Sequence, residues 1–412
     1  MSAKRSSPSV QERSHILETT RTNKMARSAH AYVRGNTVLF YEWLTSLTQG
    51  TLPEGPPVWI CGDCHVGNLG PVGDTRERVR IQIRDMDQTV IGNPTHDLIR
   101  LALSLASAAR GGDLPGVTTA RMLEAVMDGY QAAFAHDFEE ADDETVKPDA
   151  VKVVLKQASR RTWKHLARER IDDTKPTIPH GKKLWKVSTQ ERRAVEALFD
   201  DLSVKRLATM VRSRDDAAEV TLVDVAYWQK GCSSLGRLRY AALVSVDDGS
   251  SGRPELCLMD LKEATDPAAP AFPETIMPTD QAERVVEGSR HISPFLGERM
   301  RAVTLLDRPV FIRELLPQDL KVELVQPTAS EAVKAATFLA TVVGFAHARQ
   351  MDSAVRQSWQ KELAQQRSHA LDAPSWLWTS VVDLLVRHEQ GYLEHCRRYA
   401  LNDLDGPTLI RT

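Results

Sequence analysis

Residues 59–70 read WICGDCHVGNLG, and three incompatible chemistries fit this short run. Cys61 and Cys64 form a C-x-x-C, a spacing that binds a metal or cycles as a disulfide. His65 extends it to C-x-x-C-H, the attachment pattern of c-type haem. Alternatively the cysteines are incidental, and Asp63, His65 and Asn68 frame a phosphate-transfer loop. Composition and flanking sequence have to decide between them.

The chain has 412 residues, 42% hydrophobic and 26% charged, which is enough apolar surface for two domains or one large two-lobed one. A formal net charge of -2 provides no global field for nucleic acid or an anionic membrane, so neither is expected as a partner. The N-terminal MSAKRSSPSVQERSH has charges but no apolar core behind them, unlike a secretory signal. The stretch near AATFLATVVGFAHA reads as too short and too polar to span a bilayer. A cytoplasmic setting follows as the expectation, and thiols stay reduced there. That weighs against haem attachment and a stable disulfide. Structural zinc needs roughly four ligands, yet Cys232, Cys257 and Cys396 are scattered singly. A thioredoxin-like pair belongs at the start of a helix, whereas Gly67 and Gly70 follow at once and argue for a loop.

Upstream, PPVWI is an apolar run of the kind that makes a buried strand. Downstream, a turn at Gly73-Asp74 precedes the strand VRIQI, which delivers Asp85 and Asp87 to its end. Two strands thus present acidic and amide side chains from adjoining ends. Phosphoryl transfer needs that set: a carboxylate near the attacking hydroxyl, and an amide plus a second carboxylate to hold magnesium against the nucleotide phosphates. Asp63 and Asn68 stand in the D-x-x-x-x-N spacing of a catalytic loop. Asp87 reads equally as a second metal ligand or a turn residue. His65 and His96 read as loop-bracing hydrogen-bonders or as ligands, and His65 is kept among the candidate catalytic residues.

The run G-D-x-H-x-G-N (Gly62 to Asn68), then I-x-D-x-D (Ile83 to Asp87), then G-N-P-x-x-D-L (Gly92 to Leu98) resembles the core of the aminoglycoside phosphotransferase and choline kinase group of the protein-kinase-like superfamily. The longer pattern KMARSAHAYVRGN, WICGDCHVGNLG and IRDMDQTVIGNPTHDLIRLALSLA resembles the bacterial domain of unknown function 2252 family over most of the chain. The first resemblance implies that Asp63 is the catalytic base, Asn68 a magnesium ligand, Asp85 the main metal-binding carboxylate and Asp97 the buried carboxylate that steadies the loop. Cys61 stands where many members of that group have histidine.

A kinase-like enzyme also needs a nucleotide clamp, a glycine-rich turn over the phosphates with a strand lysine. Nothing of the sort precedes Asp63. It follows instead: VTLVDVAYW and RLRYAALVSV alternate as two strands joined by KGCSSLG. In that loop Gly231, Ser233, Ser234 and Gly236 let backbone N–H groups approach phosphate closely. A third strand, ELCLMDLKEA, carries Lys262. The helix DQAERVVEGSRH, capped by Asp280, then supplies a glutamate for the lysine, with Glu283 preferred to Glu287 because Gly288 suggests that the helix weakens there. VTLLDRPVFIRELLP reads as a hairpin whose end, Glu314 to Pro317, is a hinge offering backbone groups to adenine.

The expected fold is therefore α+β: a two-lobed, protein-kinase-like architecture with a small antiparallel-sheet nucleotide lobe and a larger helical catalytic lobe. Its order implies circular permutation, with the catalytic region at 1–205, the nucleotide-binding region at 206–322 and a helical return at 323–412. The expected activity is phosphoryl transfer that uses ATP and Mg2+. The first expected acceptor is a small-molecule hydroxyl and the second a protein; a non-catalytic nucleotide-binding module and a nucleotidyl transferase are the alternatives. Lys24, Arg27 and Arg34 can contact phosphate or an anionic acceptor. The acidic run AFAHDFEEADDE and the basic LKQASRRTWKHLARER read as solvated segments.

Overall fold

Period-two alternation builds the largest sheet. In β6 (Glu219–Trp228), β7 (Arg239–Asp247) and β8 (Glu255–Glu263) apolar side chains leave both faces of long strands, so each face needs its own cover. The computed structural model describes residues 8–135, 147–160, 177–211, 214–231, 235–249, 254–316, 328–365 and 374–400. In it these strands join β5 (Leu184–Lys186), β9 (Met300–Leu305) and β10 (Arg308–Glu314) in an antiparallel sheet of order β5-β6-β7-β8-β10-β9. The hairpin between β9 and β10 turns through Leu306 and Asp307, both at positive φ (52° and 58°), as a tight turn matching the strand twist requires. A register shift between Leu222 and Asp224 bends β6.

One sheet face packs on the helices Thr189–Leu198 and Leu202–Thr209 through Val195, Phe199, Val204 and Leu207, with Leu17 of the helix Val10–Met25 joining them. That first helix is also pinned by charge. Arg13 forms a buried ion pair with Glu191 at 2.6 Å, and Tyr240 donates to the same carboxylate at 2.9 Å. The sheet layer thus recruits β5 and the helix Thr189–Leu198, which precede residue 206, and the helix Leu202–Thr209, which spans it, so it starts earlier in the chain than the expected boundary.

The remaining strands form two small ladders, β1 (Val58–Ile60) with β4 (Val90–Gly92) and β2 (Leu69–Gly73) with β3 (Val79–Ile83). They rest on a helical layer whose central members are Thr95–Gly111, Gly116–Ala132 and Ala329–Ala348. The last two pack backbone against backbone. A Cβ on Gly129 would lie 2.2 Å from the Thr337 carbonyl oxygen, and one on Gly344 2.6 Å from the Ala133 Cβ. Small residues at both positions are what permit the approach. Ala329–Ala348 is longer than its apolar centre suggested. Among the described residues it is the helix long and apolar enough to cross a membrane, and 67% of its most apolar window is buried inside the fold.

The architecture is α+β, with antiparallel sheets set apart from the helices. What matters for function is the seam where the residues that follow β3 meet β8 and β10: Lys262 lies 3.2 Å from Asp85, and Arg313 donates to the Arg84 carbonyl at 3.2 Å.

Candidate functional site

The segment 61–68 leaves β1 in a bend that only a residue without a side chain can make. Gly62 has φ +73°, and a Cβ on it would lie 2.1 Å from the Gln88 carbonyl oxygen. The loop backbone is held from several sides. Asp97, in the first turn of Thr95–Gly111, accepts the N–H groups of Cys61 (2.7 Å) and Gly62 (2.9 Å) on separate oxygens. Tyr41 donates to the Gly62 carbonyl at 2.5 Å, and Thr89 to that of Ile60 at 2.6 Å. Behind Asp97 a buried chain runs into the core: His347 Nε2 at 3.1 Å, Tyr130 Oη at 3.0 Å from His347 Nδ1, and Trp359 Nε1 donating to Tyr130 at 3.1 Å. The carboxylate is thus satisfied without water, the condition under which a buried charge is tolerated. Sequence reading reached Asp97 but not His347, which lies 250 residues away along the chain.

Asp63 and Asn68 lie at the two ends of the loop. Asn68 Nδ2 donates to the Asp63 carbonyl at 2.8 Å, closing the segment on itself. The Asp63 carboxylate meets Arg100 Nε at 2.8 Å, and Arg100 in turn donates to the Val33 carbonyl at 2.7 Å. Arg100 was missed from sequence although it lies three residues after Asp97, on the same face of a helix. His65 Nε2 stands 3.9 Å from the other Asp63 oxygen. Burial pushes the His65 pKa down to about 4, against the pull of Asp63, so the ring is neutral at pH 7.

Asp85 and Asp87 follow β3, one strand-end away. The Asn68 carbonyl accepts from Arg84 N at 2.8 Å and Cys61 Sγ donates to the Asp85 carbonyl at 3.4 Å, so the two loops share backbone contacts. Across the seam, Lys262 of β8 is buried and reaches both carboxylates, Asp87 at 2.5 Å and Asp85 at 3.2 Å. Desolvation opposes ionisation of Asp85, but Lys262, its bond to Asp87, and Arg239 and Arg313 outweigh this and hold its carboxyl far below the usual range. Asp87 goes the other way: burial and the Asp85 charge raise it. The pair divides the work, one oxyanion dominant and the other easier to protonate. Asp87 Oδ1 is buried with no hydrogen-bond partner, while the Asp85 side chain keeps 42% of its exposure.

The surroundings are cationic. Arg239 forms a bidentate pair with the buried Asp260 (2.9 and 2.6 Å), Arg313 lies 3.6 Å from the same carboxylate, and Arg237, just past the β6–β7 turn, comes within 4.0 Å of Asp87. Burial and the neighbouring Arg239 push Lys230 well below the usual lysine range. Arg84, Arg239, Lys262 and Arg313 line a small gap of about 20 Å³ beside Asp85.

Several expectations need correction. Lys262 does not pair with Glu283 or Glu287, because Asp85 and Asp87 lie nearer. Glu283 sits on the exposed face of Gln281–Ile292, with its N–H capped by Asp280 at 2.9 Å, and Glu287 binds Arg290 (3.0 Å) and His291 (3.2 Å). The residue turned inward is Arg284, which donates to the carbonyls of Asp87, Thr89 and Thr265. Gly288 does not end that helix; it lets it approach Thr89, whose Cγ2 would lie 2.5 Å from a Cβ there. The hinge expected at Glu314 to Pro317 already has partners at its start. The Glu314 carbonyl accepts from Arg299 at 3.0 Å, Leu315 N–H donates to Leu258 at 2.8 Å, and Pro317 lies outside the described residues. Gly231 and Gly236 both take positive φ (92° and 101°), and Lys24 donates to the Gly231 carbonyl at 2.8 Å. Ser233 and Ser234 lie outside the described residues, as do most of the acidic run and the second half of the basic one.

Cys61, Cys64 and Asp97 offer donor atoms within 4.8 Å of one another. The donor chemistry is poor for a metal. Both oxygens of Asp97 are occupied by N–H groups, and its bond to Cys64, burial and the Asp97 charge push the Cys61 thiol well up, whereas a metal ligand must be a thiolate.

Fold and site together define an α+β protein whose charged seam joins a strand-borne lysine to two loop carboxylates. The chain belongs to the DUF2252 family, described as an uncharacterized protein conserved in bacteria, whose model matches residues 13–398. No curated protein and no solved structure matches it.

Proposed function

We propose that this protein is an ATP- and magnesium-dependent phosphotransferase built on a circularly permuted, two-lobed kinase-like fold. The observation that carries the reading is Lys262 of the six-stranded sheet facing Asp85 and Asp87 of the loop layer, in a seam where cations outnumber carboxylates. A structural ion pair needs one carboxylate for one lysine. Two carboxylates of opposite pKa displacement, ringed by arginines, suit a ligand that brings both phosphate charge and a divalent cation. Among the residues present, Asp85, the orphaned Asp87 Oδ1 and the Asn68 side-chain oxygen have the hard oxygen donors that a magnesium ion takes. When bound, that ion neutralises phosphate charge as it develops.

The chain's own residues have separable roles in this reading. Lys262, released from Asp85 by the incoming nucleotide, takes phosphate oxygens, with Arg239 and Arg313 maintaining the positive field. The gap there has room for about one water, so nucleotide entry requires the two layers to part. Asp63 accepts the acceptor's proton. Arg100 orients its carboxylate, and neutral His65 hydrogen-bonds without competing for charge. Asp97, His347 and Tyr130 keep the loop backbone in place.

Incubating the full chain with magnesium, a cell extract and ATP labelled at either the γ or the α position tests the reading. Transfer of γ label is the expected result. Transfer of α label would make it a nucleotidyl transferase, and transfer of neither, with ATP still bound, a regulatory nucleotide-binding module.

A further inference from the structure

On the helical side of the loop lies a cavity of about 680 Å³, a size typical of small-molecule sites. Its walls are mostly apolar, built from Val33, Leu105, Leu114 and Met122, and one of them carries Arg34. This guanidinium lies against Gly67, where a Cβ would stand 2.5 Å from Nη2 and 2.7 Å from Cζ. The missing side chain is what gives Arg34 its place. Arg34 is half-buried, its Nε is buried with no acceptor, and it makes no hydrogen bond or ion pair among the described residues. Nearby groups do not neutralise it. Burial and then Arg34 itself push His30 down to about 4, and Glu389 at the same cavity is already paired with Arg110 at 2.8 Å. An unpaired, partly desolvated guanidinium is costly, and an anionic ligand group relieves that cost with charge-assisted hydrogen bonds.

The cavity also touches the proposed chemistry. Val33, in its wall, gives its carbonyl to Arg100 Nη2 (2.7 Å), while Arg100 Nε holds Asp63 (2.8 Å). One guanidinium therefore spans the distance from wall to carboxylate, and Gly67 immediately precedes Asn68.

We propose that this cavity is the acceptor pocket and that the acceptor is a small amphipathic anion, its apolar body in the cavity and its carboxylate or phosphate on Arg34. This rests on the phosphotransferase reading. In the step, the acceptor hydroxyl oxygen forms the new P–O bond and its proton passes to Asp63. The bond from the γ-phosphorus to the β,γ-bridging oxygen breaks, and ADP leaves.

Fluorescence titration of the full chain tests the pocket with two probes that share one aromatic body: 8-anilinonaphthalene-1-sulfonate, and N-phenyl-1-naphthylamine, which lacks the sulfonate. Arg34→Gln should weaken the sulfonate about tenfold or more and leave the neutral probe within about twofold, as loss of one charge-assisted contact predicts. Arg34→Lys should retain most of the affinity, and Ala108→Trp, which fills the cavity, should remove both probes. Unchanged sulfonate binding in Arg34→Gln, or equal loss of both probes there, overturns the pocket. Competition by decanoate against decyl phosphate decides which anion seats on Arg34, and competition by neither overturns the assignment. In the γ-label assay the product should be an anion extracted into acidified butanol and suppressed by the sulfonate probe. Label on protein or on water-soluble cations overturns the acceptor class. Absence of transfer together with the expected probe results would sink the phosphotransferase reading and the acceptor role, leaving an anion-binding cavity.

Discussion

Replacing Lys262 by methionine removes the charge from the seam while keeping most of the buried volume. Its ammonium lies 2.5 Å from Asp87 and 3.2 Å from Asp85. Breaking a buried pair by deleting one partner costs about 3–5 kcal/mol. Here Asp85 keeps 42% exposure, and solvent screening of that half brings the expected loss to about 2–3 kcal/mol at pH 7.5. The pH dependence fixes the sign. In the native protein the depressed Asp85 contributes stability above its unfolded pKa and loses it only as pH falls through its low folded value. Without Lys262 the Asp85 carboxyl loses the strongest of the charges that hold it down, and Asp87, already raised, rises further. A group raised in this way stabilises at low pH, and the benefit disappears as pH rises through its folded pKa. The variant should therefore be destabilised less at pH 5 than at pH 7.5, by roughly 1 kcal/mol for each unit by which one carboxyl has risen past 5. Urea denaturation followed by tryptophan fluorescence at the two pH values measures both numbers. A variant as stable as the parent at both, or one hurt more at pH 5, would refute the account of the seam.

Asp97→Ala leaves the Cys61 and Gly62 N–H groups and His347 without their acceptor, and should cost about 3 kcal/mol in denaturant unfolding; a loss below about 1 kcal/mol would mean the loop is held otherwise. Gly62→Ala meets both a positive φ and the Gln88 carbonyl, so it should lower stability by about 2 kcal/mol or more, with a melting temperature equal to the parent's as the contrary result. Asp63→Ala should leave magnesium-ATP affinity within a few-fold by calorimetry while turnover falls by about 10² to 10⁴. Asp85→Ala should weaken that binding, and the reverse pattern would exchange the roles. Replacing Cys61 and Cys64 by alanine should cost about 1 kcal/mol per site and leave nucleotide binding intact; stoichiometric zinc in the parent protein, measured by elemental analysis, would return the cysteines to the centre.

Much of the seam's scaffold is legible from local pattern. Alternation marks β6, β7 and β8, the run VTLLDRPVFIRELLP marks the β9–β10 hairpin, and VRIQI marks the strand that ends beside Asp85. Each depends on side chains a few residues apart, which is the range over which periodicity carries information. The partner of Lys262 was misread for a related reason. A helix downstream with two glutamates satisfies a local template, but which face of that helix turns inward depends on what it packs against. Arg284 is drawn in by three carbonyls of the 87–89 and 265 segments, and Glu283 is turned out. The hinge failed similarly: backbone groups that look free in sequence are taken by Arg299 and Leu258.

What the sequence alone determined is the chemistry available at each short stretch: a glycine-bent loop carrying Asp63, His65 and Asn68, a strand ending in Asp85 and Asp87, a strand carrying Lys262, and an Asp97 near a helix start. Backbone conformation and residue type settle these within a few positions of each residue. Only the tertiary structure decided who meets whom. Lys262 lies 177 residues from Asp85, and His347 reaches Asp97 from the far end of the chain. Arg34 finds its place against Gly67 because packing brings a helix onto a residue with no side chain. Tertiary placement then sets the charges: Lys262, Arg239 and Arg313 hold Asp85 ionised against the cost of burial, while burial itself keeps His65 neutral.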